Sequence, residues 1–589
     1  MDKRTIYAVV LSSLIVVLWQ IFVLAPQEQK MRQARLAAQD SLLARAAAGG
    51  GAEIAAPPGE AARADCLRAA AGMAAPGDSS RLGAGALAPA ASEAVDQDVA
   101  IETDLFKAKL STRGARISSY ALLGFPSHRG GVVDLIPENT AGAFGLTLHT
   151  RDGELPLDEF VFVVDRTNLT LRPGEEGAVA FSGEPQPGLR ITKRFALKAG
   201  TYDWQLDVAI DRTPDALPVY AYTIDLGSGI SLTEKNQEQD LTFVAGAIRD
   251  KERLQRKKLA GMKENEPLAL TGKMEWATLT NKYFLIGLGV ADVPGVELAI
   301  RPIEQKKRLA LTMKVPVIAG APGAATGASN SSIRVYAGPQ EIAFLEKSPL
   351  HLGEAIDYGW SIIQPISQLL LKGLKLLYRL IPNYGIAIIL ISIAAKLAFY
   401  RLTHQSIKSM KDMKKVQGEL EELRKKYNND PKRMNEATMA LYKKNGINPM
   451  AGCLPMLLQM PVFMALYNVL NRTIELRGAP FFLWIDDLSA PDALFHLPFT
   501  IPFLGSQVCA LPIVMGVATF YQTKMTTVDP KQKMLLYMMP IFMTVIFFNF
   551  PSGLVLYWLV NTLLTIMQQY LIDRKDRATA VTLAASAAR

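Results

Sequence analysis

The sequence predicts a membrane protein in two parts. One is a multi-pass α-helical membrane core of six spans with a cytoplasmic helical hairpin; the other is an all-β extracytoplasmic domain. Three observations carry this reading. Beyond residue 380 the chain holds five apolar runs, each near the ~20 residues a helix needs to cross a bilayer, and Ile6–Leu24 is a sixth. Between them, from Val99 to about Leu345, short alternating runs broken by Gly, Pro and Asp have the pattern of antiparallel strands. The composition, 49% hydrophobic with 20% charged residues, suits soluble and membrane segments together better than either alone.

Taken in order, Met1–Arg4 is a short basic start to the first run. A cleaved signal peptide is the rival reading. Val23-Leu24-Ala25-Pro26 argues against it, with no small residue at −3 and a proline just after the candidate site. Residues 1–25 therefore read as an uncleaved anchor with a cytoplasmic N-terminus. Residues 26–95, rich in Ala, Gly and Pro, cannot bury enough apolar surface to fold and read as a flexible periplasmic tether. Residues 96–348 read as the β-sandwich, with strands at Asp104–Ser111, Phe160–Val164, Leu189–Leu197 and Tyr202–Ile210, and a loose loop at Ala321–Ser332. Its acids and histidines have no catalytic spacing, which favours a binding or spacing module over an enzyme.

Residues 349–381 set Ile362, Ile363, Ile366, Leu369, Leu370, Leu374 and Leu377 against Lys372, Lys375 and Arg379. Too interrupted to span, this segment should lie along the outer membrane interface. Residues 382–573 form the core of five spans. Its first span, PNYGIAIILISIAAKLAFYRL, carries one charge, Lys396, at about 2.5–3.5 kcal/mol on insertion scales. No Asp or Glu lies inside any of the apolar runs to pair with it. Ser392 and Tyr400, at i−4 and i+4, share its helix face. Either Lys396 snorkels toward the headgroups near Leu402, or this face lines a wet cavity.

Residues 403–446 should form a hairpin outside the bilayer. Its first helix carries a seam of Ile407, Met410, Met413, Val416, Leu420, Leu423 and Tyr427. Asp430 and Pro431 then provide an N-cap and first helical residue for a second helix with Met434, Ala437 and Leu441. Four more spans follow at Met450–Leu470, Phe503–Gln522, Met534–Phe550 and Leu554–Ile572. In the last, Tyr557, Asn561, Thr565 and Gln568 recur at i, i+4, i+8 and i+11, and Gln459 sits in the third span. A single polar residue per span can simply join helices, at an average of about 0.6 kcal/mol. A stripe several turns long, set against an unpaired lysine, reads as one wall of a hydrophilic groove open to the cytoplasm.

Charge sets the orientation. The hairpin holds Lys408, Lys411, Lys414, Lys415, Arg424, Lys425, Lys426, Lys432, Arg433, Lys443 and Lys444. The loop Asn471–Asp492 instead carries Glu475, Asp486, Asp487 and Asp492. The positive-inside bias puts both termini, the hairpin and the tail 574–589 in the cytoplasm and the sandwich in the periplasm. The net charge of +9 is spread over the topology rather than one module, so no specific nucleic acid is expected. Three cysteines and five histidines give no metal spacing, and there is no phosphate loop or nucleophile motif. No cofactor, small-molecule substrate or enzymatic activity is expected.

Gly446–Tyr467 (GINPMAGCLPMLLQMPVFMALY), Glu475–Asp492 (ELRGAPFFLWIDDLSAPD) and Phe550–Ile572 (FPSGLVLYWLVNTLLTIMQQYLI) resemble the YidC membrane-protein insertase family of Gram-negative bacteria. The resemblance covers about His351 to Arg574, and the anchor, tether and sandwich fit it in order and size. It implies an inner-membrane insertase and folding chaperone for hydrophobic nascent chains, working in the lipid bilayer alone or with the Sec translocon; the basic faces of the hairpin, by default simply solvated, have contact with a ribosome or anionic lipid as their sharper reading. It also implies a sugar-mutarotase-like super-sandwich for the outer domain. The family's groove charge is usually arginine and aligns here with Lys396. A secondary transporter using Lys396 is the alternative, although the spans lack coupling carboxylates and paired repeats.

Overall fold

The computed structural model describes residues 95–263, 266–290, 293–304, 307–317, 329–359, 362–427, 430–447, 454–501, 505–526 and 533–587. The expected anchor 1–25 and all but the last residue of the tether lie outside the described residues.

The β domain stacks three sheets of nine, six and five strands. Its strand pairs are antiparallel, except that Asp98–Glu102 runs parallel to Asn168–Thr170. The strand Leu189–Lys198 lies inside the nine-stranded sheet, between Glu176–Gln186 and Asp203–Arg212. Its odd-numbered residues point inward, because side chains alternate across a strand. Leu189, Ile191, Phe195 and Leu197 follow that period, and Lys193 is carried into the core with them. Ser329–Ser332, expected in a loop, instead begin the strand Ser329–Pro339, which pairs with Asp203–Arg212. The pairing continues the ladder past the end of the apolar pattern, which is why the sequence alone assigned these serines to a loop.

Lys193 is fully buried, and its Nζ donates to the carbonyls of Ala115 (2.6 Å), Phe144 (2.7 Å) and Gly114 (3.3 Å). Ala115 and Phe144 both adopt left-handed backbone conformations, φ 45° and 65°, which cost a non-glycine residue on the order of 1 kcal/mol. One ammonium therefore closes two strained turns. Burial pushes its pKa down to about 7.

The helical part comprises α1 (Gln364–Leu380), α2 (Tyr384–Ala398), α3 (Tyr400–Lys415), α4 (Gln417–Lys426), α5 (Pro431–Lys444), α6 (Leu454–Arg472), α7 (Ala510–Thr526), α8 (Lys533–Phe547) and α9 (Ser552–Ala587). Asn383 caps α2 by accepting from Ile386 N at 3.1 Å, and Asp430 caps α5 by accepting from Arg433 N at 3.1 Å. Among the described residues, Ser552–Lys575 is one straight helix long and apolar enough to cross a membrane, and α2 with α3 passes the same test as a pair bent by 67°. One apolar cluster gathers Leu374 of α1, Ile388 of α2, Leu466 of α6, Met515 of α7 and Leu554 of α9. At Gly516 of α7 a Cβ would meet Thr544 Oγ1 of α8 at 2.1 Å, so this close approach requires the glycine.

Two local expectations are corrected. The hairpin's first helix breaks at Val416 into α3 and α4, and its seam divides. Val416 and Leu420 pack with Leu441 and Ile447, while Ile407 and Met410 turn to a cavity described below. Gly505–Cys509, expected within a helical span, instead pairs antiparallel with Ala493–Ile501, and α7 begins only at Ala510; Phe503 and Leu504 lie outside the described residues. Short apolar runs flanked by Pro and Gly suit a strand as well as a helix, and periodicity does not separate the two.

The β domain and the helices share packing. Ile474, in the loop after α6, belongs to the sandwich core. Arg477 Nε pairs with Glu234 at 2.9 Å, and its Nη1 donates to Pro126 O at 2.9 Å. Arg472 pairs with Asp357 at 2.9 Å.

Replacing Lys193 with Met leaves three buried carbonyls without their donor and should destabilise the β domain by about 2 kcal/mol or more. Trp204, 5.0 Å from Phe144, is a fluorescent reporter at the site. Because the folded pKa is near 7 and the unfolded one near 10.5, the native state binds fewer protons between those values. Wild-type stability should therefore rise from pH 7 toward 10, and Lys193→Met should lose that rise. A thermal midpoint equal to wild type and an unchanged pH slope would refute the role.

Candidate functional site

The polar stripe of α9 is built by helical spacing. Tyr557, Asn561 and Thr565 stand one turn apart, and each of the last two bonds back to its own helix: Asn561 Nδ2 to Tyr557 O at 2.9 Å, Thr565 Oγ1 to Asn561 O at 2.7 Å. The back-bond uses the Thr565 proton and leaves lone pairs on its oxygen. Lys396 Nζ of α2 donates to that oxygen at 2.8 Å. Gln459, on α6, lines the same space as Tyr557 and Asn561.

These residues surround one cavity of about 330 Å³ between α2, α3, α6, α7, α8 and α9. At ~30 Å³ per water it has room for on the order of ten molecules. No Asp or Glu is among its lining residues. Among the described residues the Lys396 amine therefore has a neutral hydroxyl as its partner and no carboxylate on the cavity lining. The lining also includes the apolar side chains of Phe399, Met460, Phe463, Met539, Met543 and Trp558.

Of the residues singled out from sequence, Lys396, Gln459, Tyr557, Asn561 and Thr565 are brought together on this cavity. Ser392, Tyr400 and Gln568 lie outside its lining. Ser392 is buried and donates to Ile388 O at 2.8 Å. Tyr400 falls just past the bend at Phe399, which carries it off the α2 face to an exposed position stacked on His404. Gln568 is buried one turn beyond Thr565, with neither amide atom bonded.

Sequence reasoning missed Thr403 and Ser406 of α3 and Thr519 and Thr523 of α7, all on the cavity. The signal for the α7 pair was available as two threonines at i, i+4 within an apolar run. The α3 pair was hidden because a highly charged segment was assigned wholly to the hairpin. Near Gln568 three helices are tied by polar contacts. Lys411 of α3 pairs with Asp573 of α9 at 2.6 Å. Lys414 Nζ and Gln569 Nε2 both donate to Met525 O of α7, at 2.7 and 3.0 Å.

A second cavity, about 510 Å³, opens in the β domain between the segment 127–139, residues 231–233 with Gln237, and Glu304, Lys307 and Arg308. Its Arg308 pairs with Glu304 at 2.7 Å, and Asp134 accepts from the Tyr120 and Ile136 amides.

Comparison with known proteins agrees with both parts of the chain. A family profile described as 60Kd inner membrane protein matches residues 376–579, and one described as YidC periplasmic domain matches residues 98–371. A protein of Syntrophobacter fumaroxidans named membrane protein insertase YidC is 35% identical, over 81% of this chain and 86% of its own. One of the same name from Citrifermentans bemidjiense is 34% identical, over 82% and 86%. A crystal structure of an active YidC insertase with its first transmembrane domain resolved aligns over 81% of this chain and 93% of that one, at 18% identity and a TM-score of 0.35. With relatives of that identity matched along most of both chains, and both family profiles in the expected order, the chain belongs to the YidC family of membrane protein insertases.

Proposed function

We propose that this insertase receives the hydrophilic tail of a nascent membrane protein in the cavity at Lys396 and releases the adjoining apolar segment into lipid. The observation that carries this reading is the lysine itself, held at 2.8 Å from Thr565 on a cavity of about 330 Å³ whose lining has no carboxylate. A permanent partner would make the charge structural. Without one, its field is available to an incoming acidic group. The apolar side chains of Phe399, Phe463 and Trp558 line the same cavity and suit the segment that follows the tail.

The six-span topology belongs to this proposal, with both termini and the hairpin α3–α5 in the cytoplasm and the β domain in the periplasm. α7 and α8, at 17 and 15 residues, reach about 25 and 22 Å, less than the ~30 Å hydrocarbon core. Short helices of this kind thin the bilayer and shorten the path a tail must cross. Apolar burial at about 25 cal/mol/Å² then drives the segment into lipid without a nucleotide. Ile362, just before α1, and Leu369, Leu376 and Leu380 of α1 are exposed, which suits a helix lying against the membrane surface. The Sec translocon is a proposed partner on the family reading, and the ribosome is one through the basic hairpin. The transporter alternative needs a coupling carboxylate, and the cavity offers none.

Lys396→Arg should retain insertion, while Lys396→Ala and Lys396→Glu should lose it, more for acidic than for neutral tails. At an effective dielectric near 20, charges ~4 Å apart attract by about 4 kcal/mol before desolvation, and each 1.4 kcal/mol is about tenfold. Reconstituted insertion of one acidic-tailed and one neutralised substrate tests this; equal insertion of both by wild type and Lys396→Ala would sink it.

Topology is tested by thiol labelling in a background without Cys66, Cys453 and Cys509. Leu483, 88% exposed in the loop after α6, should react as Leu483→Cys with an impermeant reagent in intact cells. Glu422→Cys, on the exposed face of α4, should not. The reverse pattern would overturn the orientation.

A further inference from the structure

We propose that Gln568 is a main-chain recognition site for the entering polypeptide, an inference that rests on the groove reading above. Gln568 is 6% exposed, yet neither its Nε2 nor its Oε1 has a partner, and the Oε1 of the adjacent Gln569 is also unbonded. A buried amide without bonds destabilises the fold, and a leucine of similar volume would remove that cost. The side chain lies one turn beyond Thr565, the residue that holds Lys396. The same end of α9 carries contacts that join it to α3 and α7: Lys411–Asp573, and the paired donation of Lys414 and Gln569 to Met525 O.

The chemistry of the vacant amide selects its ligand. A carboxamide carries the same donor and acceptor as a peptide group. It can accept from one backbone N–H and donate to one C=O of an extended chain. An unfolded tail leaving water has an unpaired donor and acceptor on every residue, whatever its sequence. Side chains differ among substrates, but the main chain is common to all. Along α9, Thr565 and Gln568 are separated by three residues, a rise of about 4.5 Å. One or two residues of extended chain cover that length at ~3.3 Å each. Gln568 lies outside the lining of the cavity, so a single stretch presents an acidic side chain to Lys396 and its backbone to Gln568 only where the contact between α3 and α9 opens. The Lys411–Asp573 pair of that contact is partly exposed, and pairs of that kind contribute little enough to part when a chain enters.

The test uses full-length protein in proteoliposomes, with one acidic-tailed and one neutralised substrate, and the variants Gln568→Leu and Gln568→Met. Both variants should keep or raise the thermal midpoint, because an unbonded buried amide is gone. Both should insert the two substrates roughly fivefold less well, and equally, as expected for the loss of a modest hydrogen-bonded contact. The equality separates this effect from that of Lys396, which depends on tail charge. Insertion by both variants as efficient as wild type, or a loss confined to the acidic-tailed substrate, would overturn main-chain recognition. A photocrosslinker in place of Thr565 tells the two readings apart. Capture of the nascent chain there with full insertion by the variants removes only the Gln568 site. No capture at Thr565 removes the groove reading and this site with it.

Discussion

The architecture of the helical core depends on one unpaired charge. An ammonium in a bilayer is stable only where water or a counter-ion meets it, and the lining around Lys396 supplies hydroxyls and amides but no carboxylate. On the groove reading proposed above, solvent reaches it, and the helices do not close around it as they would around leucine. The bend between α2 and α3, the back-bonded stripe of α9 and the threonines of α7 bring polar groups to the cavity. The same cavity is also lined by apolar side chains. A polar tail and an apolar segment can thus be accommodated in one space, which is the physical requirement of insertion.

The β domain contains a second buried lysine under the opposite constraint. Lys193 sits in a closed core, with three backbone carbonyls as acceptors and no room for exchange of partners. It is there because the alternation of its strand allows no other face. The contrast between the two lysines separates structure from function. Where every acceptor is a fixed carbonyl, the amine braces strained turns as a hydrogen-bond donor. Where, among the described residues, the fixed acceptor is one hydroxyl beside a cavity, the proposed function leaves the charge for a transient partner.

The joint between the two parts is specific rather than a tether. Ile474 in the sandwich core, and Arg472 and Arg477 on Asp357 and Glu234, fix the loop after α6 to the β domain. Arg477 also lies 5.9 Å from the Phe284 ring centroid, and Arg472 lies 5.4 Å from that of Phe243. That loop leads back to α6, whose Gln459 borders the cavity. Outer-domain packing and groove geometry are thus connected through one helix.

The amino-acid sequence by itself determined the division into a β-rich and a helical part, the family, and the polar residues of α9, because hydropathy, strand alternation and helical spacing are local properties. It also marked Lys396 as a charge without a carboxylate in its own or neighbouring apolar runs. It did not determine which polar residues share a cavity. Tyr400 follows Lys396 at i+4, but a 67° bend at one residue takes it out of the face that a straight helix would give. Ser392 satisfies itself on its own backbone, and Thr403, Ser406, Thr519 and Thr523 reach the site from helices distant in sequence. The bend, the burial of Gln568 without a partner and the docking of Arg477 arise from contacts between segments far apart in the chain. No periodicity within one segment encodes them, and only the packed structure decides them.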